Sequence, residues 1–114
     1  MAQVRGMIFR ARDRKITARF YADLGLSEHE HQHGGPVHHE LGPMSDTAVV
    51  EIYQASTKFN ADVLMIEVDS IEEALKIIST YEITPKTEIM ESSDMRFQYV
   101  QDPDGRPLML IKQK

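Results

Sequence analysis

Apolar positions alternate loosely from Val4 to Ala11 (Val4, Met7, Ile8, Phe9, Ala11), the pattern of a half-buried strand. Asp13 then stands where a helix N-cap belongs. Ile16, Phe20 and Leu24 follow at helical spacing with Ala18 and Tyr21 beside them, and Gly25 stops the helix as a C-cap glycine. Leu26 to His33 is polar but alternating, and Gly34-Gly35-Pro36 breaks it. Val37 to Leu41 makes a short strand, Gly42 to Asp46 a turn, and Thr47 to Tyr53 the strongest strand signal of the first half.

After a polar connection, Gln54 to Asn60, the same order returns. Val63 to Val68 is an apolar strand. Ser70 with Glu73 three residues on forms a capping box, and Ile71, Ala74, Leu75 and Ile78 give the following helix one apolar stripe. Ile83 to Met90 reads as a strand interrupted by Pro85. Phe97 to Ile111 reads as a hairpin around Asp102-Pro103-Asp104-Gly105, where Pro103 presets φ and Gly105 tolerates φ > 0. The two caps, Asp13 and Ser70, stand 57 residues apart, half of the 114-residue chain. A repeat of that period predicts a duplicated βαβββ unit.

The fold class expected is therefore α+β. Two βαβββ modules, approximately 1–55 and 60–114 of a single domain 1–114, form a cupped, partly open, eight-stranded barrel-like sheet with helices outside. The concave face of such a sheet is where a ligand belongs. Composition narrows the function classes. With 41% hydrophobic and 27% charged residues the chain is ordinary for a soluble domain, and no apolar run approaches the roughly 18 residues of a membrane span. The absence of cysteine excludes disulfides, thiol catalysis and thiolate metal sites. The first residues lack a secretory pattern, so a cytoplasmic protein is the default. The formal charge of −5 and the scattered basic residues argue against nucleic acid as a partner.

The paired modules, the Asp13 helix carrying Phe20-Tyr21 and ending Leu24-Gly25-Leu26, and the closing Asp102-Pro103-Asp104-Gly105 hairpin together resemble the vicinal oxygen chelate superfamily. That superfamily includes glyoxalase I, bleomycin-resistance proteins and extradiol dioxygenases. The resemblance spans essentially the whole chain and implies a homodimer with cavities formed by concave sheets. It also implies four metal-ligand positions, which fall here on Gly6, Glu51, Val63 (with Asp62 beside it) and Met109. Only Glu51 offers a hard donor, so the expectation is a member without the usual metal centre.

Thr47, Val49, Glu51 and Tyr53 share one face of their strand, and the resemblance turns that face to the cavity. Glu51 has two readings: a group that accepts a hydrogen bond from a ligand or acts as a base on it, or a carboxylate paired with an Arg or His at a wetted rim. Met7, Met65 and Met109 are candidates for an adaptable apolar lining, with ordinary core methionines as the alternative. Tyr99 joins the candidate ligand contacts. His29, His31 and His33 alternate, and His38 and His39 follow across the glycine turn, a spacing that also suits zinc, copper or nickel. His33 and His38 are therefore candidates for ligand contact beside Glu51 and, with it, for a relocated metal. No cofactor is expected, with a divalent metal as the open alternative. The functional expectation is a protein that binds a small, partly apolar molecule. The alternatives are a lyase, isomerase or dioxygenase-type enzyme using Glu51 with His33 or His38, and a scaffold whose cup is filled by its own side chains.

Overall fold

A computed structural model describes residues 2–32, 35–42 and 48–114. His33 and Thr47, named above, lie outside the described residues. The elements are β1 (Gln3–Ala11), α1 (Arg14–Asp23), β2 (Ser27–His31), β3 (His38–Gly42), β4 (Val49–Gln54), β5 (Val63–Glu67), α2 (Ile71–Ser79), β6 (Met90–Glu91), β7 (Met95–Gln101) and β8 (Pro107–Gln113). The fold is α+β, with the βαβββ order occurring twice. The chain divides into a first unit, residues 6–62, and a second, residues 1–5 with 63–114.

In the first unit the strands lie in the order β2-β3-β4-β1. β2, β3 and β4 are antiparallel neighbours, and β1 closes the unit parallel to β4 with Ile8 opposite Glu51 and Arg10 opposite Tyr53. α1 begins where Asp13 accepts hydrogen bonds from the backbone N–H groups of Lys15 and Ile16, at 3.0 and 3.2 Å. It ends in a Schellman motif, in which Gly25 N–H donates to the Ala22 carbonyl and Leu26 N–H to that of Tyr21, with Gly25 at φ 108°. The helix covers Phe9, Ala11, Leu41, Val50 and Ile52 of the sheet.

One expectation fails here. The helical stripe Ile16, Phe20, Leu24 faces solvent, with Leu24 69% exposed, and the residue that meets the sheet is Ala18, 2% exposed, with Tyr21 beside it. Ala18 lies on the same side as Arg14, whose side chain is drawn down to His39 and Glu30. Ion pairing at the first turn and a small contact residue thus set the helix rotation, against the apolar spacing. Replacing Ala18 by Leu is accordingly expected to cost about 1–3 kcal/mol by overpacking. Leu24→Ser should stay within about 0.5 kcal/mol. Urea denaturation of the two variants checks the contrast, and a costly Leu24→Ser with a silent Ala18→Leu would restore the sequence-derived stripe.

The second unit follows its sequence pattern more closely. Its order is β5-β8-β7-β6, again with first and last strands parallel. Ser70 Oγ accepts from Glu73 N–H at 3.2 Å, and Ile71, Ala74, Leu75 and Ile78 pack with Val68, Val100 and Leu110 as the stripe predicts. The strand expected over Ile83 to Met90 shrinks to Met90–Glu91. Pro85 lacks the N–H a ladder needs, and β7 ties the segment down instead. Gln98 donates to the Thr87 carbonyl and Gln101 to that of Thr84, while Tyr99 N–H donates to Thr87 Oγ1. In the closing hairpin Asp102 Oδ1 accepts from the N–H groups of Asp104 and Arg106 and Gly105 sits at φ 87°, as the turn sequence requires. Among the described residues no helix is long and apolar enough to cross a membrane.

Candidate functional site

Strand parity sorts the first unit into two faces. Phe9, Ala11, His39, Leu41, Val50 and Ile52 point to α1; Ile8, Arg10, His38, Glu40, Val49, Glu51 and Tyr53 point away from it. Glu51 lies at the middle of this second face, as expected, between Val49 and Tyr53 on its own strand.

Flat groups cross the face from strand to strand. The His31 and His38 ring centroids are 6.0 Å apart, and His38 stacks on Tyr53 at 4.6 Å with 14° between the planes. The Arg10 guanidinium lies 4.8 Å from the Tyr53 ring and 5.2 Å from that of Phe59. Two carboxylates sit beside this row. Glu40 and Glu51 are register partners, with His31 Nε2 at 2.7 Å from Glu40 Oε2 and His38 Nε2 at 3.4 Å from Glu51 Oε2. The Pro36 carbonyl accepts a hydrogen bond from His38 Nδ1–H at 3.3 Å. Nε2 is the ring nitrogen turned to Glu51.

Burial raises the Glu51 pKa from 4.5 to about 7, helped by the negative charge of Glu40 and opposed by the positive charge of Arg10. Near neutral pH this carboxyl exchanges its proton readily. A carboxyl in this state has a proton to donate in one form and only acceptor oxygens in the other.

The other candidate residues fall elsewhere. Met7 pairs in register with Val50 and so shares the α1-side face, not that of Glu51. Met65, Met109 and Tyr99 belong to the second unit, where Met109 is opposite both Met65 and Tyr99 on the sheet face away from α2. His29 is exposed, 6.2 Å from His31. Sequence reading passed over Arg10, Glu40 and Phe59. Arg10 is one of the scattered basic residues of the sequence, and it stands two positions from Ile8, the β1 partner of Glu51, on the same strand face. Its Nε is buried without a hydrogen-bond partner among the described residues.

The metal set implied by the resemblance does not fit these residues. Gly6 has no side chain, and a Cβ built there would lie 1.7 Å from the Val49 carbonyl oxygen. Val63 and Met109 offer no hard donor. Among the described residues no three His, Asp or Glu side chains form a group able to hold a metal ion.

No protein-family model and no curated protein matches the sequence. Solved structures do. A hypothetical protein from Bacillus halodurans C-125 superposes with a TM-score of 0.74 at 13% identity over 99% of this chain and 95% of its own. A methylmalonyl-CoA epimerase in complex with methylmalonyl-CoA and NH4+ gives 0.70 at 14% identity over 98% and 94%. A glyoxalase/bleomycin resistance protein/dioxygenase superfamily member from Vibrio splendidus 12B01 gives 0.67 at 15% identity over 100% of both chains. At these identities the likeness is one of fold. The chain has the fold of the glyoxalase/bleomycin resistance protein/dioxygenase superfamily.

Proposed function

We propose that the protein binds a small, partly apolar molecule on the Glu51 face of the first unit, without the metal centre that the sequence resemblance implies. The observation that carries this reading is Glu51 itself. A carboxyl held at a pKa of about 7 between Val49 and Tyr53, with His38 3.4 Å away, disfavours a stable fold and makes sense as a group kept for a ligand. Tyr53, Phe59 and the Arg10 guanidinium supply flat surface beside it. Taken by itself, the second unit offers Met65, Met109 and Tyr99 on one sheet face as proposed ligand contacts of its own. A cytoplasmic homodimer is part of the same reading, checked by the mass of the protein in solution.

A second reading is an isomerase or lyase in which Glu51 moves a proton and His38 orients it. The titration of Glu51 near neutrality and the likeness to an epimerase favour it.

Thermal melting with benzoate, benzyl alcohol and benzylamine tests binding. At least one is expected to raise the midpoint by about 5 °C at ten or more times its Kd. The shift should shrink in Tyr53→Ala and His38→Leu. No shift with any aromatic probe would sink the binding reading. Calorimetry with zinc, nickel and manganese covers the metal alternative, and tight stoichiometric binding lost in Glu51→Gln would replace the proposal by a relocated centre.

A further inference from the structure

On the α1 side of the first unit, away from Glu51, lies a buried polar cluster that the site does not use. β2 reads Ser-Glu-His-Glu-His and has no apolar side chain to anchor it, and β3 contributes Leu41 as its buried aliphatic residue. The His39 imidazole, 5% exposed, fills the space beside them. Arg14 Nη1 donates to its Nε2 at 2.7 Å, and its Nδ1 pairs with the Glu28 carboxylate. A guanidinium has donors only, so Nε2 carries no proton and the ring is the neutral Nδ1–H tautomer. Arg14 also lies 3.6 Å from Glu30, and its backbone N–H donates to Gln54 Oε1 at 3.1 Å. One ring therefore ties α1, β2 and β3 together.

The sequence makes such a tie necessary. β3 carries His38 and His39 in succession, and β2 alternates Glu with His. A slip of one residue would turn His38 and Glu40 to the helix and His39 to Glu51, and among the β3 residues of the pairing Leu41 is the apolar side chain that opposes it. The ring beneath α1 accepts from Arg14 and donates to Glu28 at once, a double tie that pins β3 to the helix in the observed register. We propose that His39 is a positioning residue that fixes the register of β3 from the helix side and so presents His38 and Glu40 to Glu51 and Tyr53.

The consequence for binding rests on the reading of the Glu51 face above, but the register is measured without any ligand. Nuclear Overhauser contacts and amide exchange of the full chain report it. His39→Gln, whose amide oxygen accepts from Arg14 and whose amino group donates to Glu28, is expected to keep the His38–Tyr53 ring contact. His39→Leu is expected to lose that contact and to speed β3 amide exchange about tenfold or more, while Ala18 still touches Ile52. Should His39→Leu not fold, Arg14→Met removes the donor to Nε2 and is expected to give the same loss. A variant of either kind that melts lower yet keeps the His38–Tyr53 contact overturns the proposal, because His39 would then supply stability alone. Failure of every aromatic probe leaves these outcomes as they are and counts against the binding reading only.

Discussion

Replacing Gly6 by alanine is expected to destabilise the protein by about 3 kcal/mol or more. The residue sits at φ 137°, where an L side chain is strained, and its backbone passes so close to β4 that an ideal Cβ meets the Val49 carbonyl oxygen at 1.7 Å. That neighbour is backbone held in the sheet, not a side chain able to swing away. One of β1 and β4 must move, and both carry the Glu51 face. For a domain of this size, with about 5–15 kcal/mol of stability in all, the loss would be a large fraction. Gly6→His, the substitution that would refill the first metal-ligand position, should fare no better. Its failure to fold would be a steric result and not a metal one. Guanidinium denaturation measures both variants, and a Gly6→Ala midpoint close to that of the parent chain would show that β1 does not run where the structure puts it.

The second large effect concerns Glu51 and has a definite sign with pH. In the unfolded chain this carboxyl ionises at about 4.5; in the folded protein it holds its proton to about 7. Between those values the folded state binds more protons than the unfolded one, so the contribution is favourable at low pH and is lost as pH rises through the folded pKa. The full difference corresponds to about 3 kcal/mol above neutrality. Glu51→Gln keeps the shape and removes the ionisation. It is therefore expected to be nearly neutral at pH 4.5 and to stabilise by up to about 3 kcal/mol at pH 8, read as midpoint shifts in urea at the two pH values. Equal effects at both would mean that Glu51 is ionised in the folded protein and that Arg10, which lowers its pKa, outweighs burial and Glu40. Removal of Glu51 strengthening the fold would fit the proposal that the residue is retained for a ligand.

Much of the architecture was legible along the chain because local chemistry and global fold agree there. Asp13, Ser70, Gly25 and Gly105 each sit where a cap or turn needs them, and the stripe of α2 is the buried one. The parity of β4 put Val49, Glu51 and Tyr53 on one face, which holds. α1 misled because its apolar residues at helical spacing are not the ones packed, a choice made by Arg14 finding His39 and Glu30. Pro85 announced an interruption, but the replacement of a strand by Thr87, Gln98 and Gln101 depends on side chains meeting across distant segments. Met7 was assigned to the wrong face because Val4, Met7, Ile8 and Phe9 do not alternate cleanly, and only the pairing with β4 fixes the parity.

The sequence by itself determined the duplicated βαβββ order, the starts of both helices and the end of the first, the closing turn and the lack of donors at Gly6, Val63 and Met109. These follow from φ preferences, periodicity and side-chain chemistry, all of which act within a few residues. Tertiary structure decided which of two adjacent histidines faces Glu51, that Arg10 stacks on Tyr53 and Phe59, and that the Glu51 carboxyl titrates near neutrality. Each of these depends on the register of strands far apart in the chain and on how much water their packing removes from a charge. Neither quantity is carried by any residue alone.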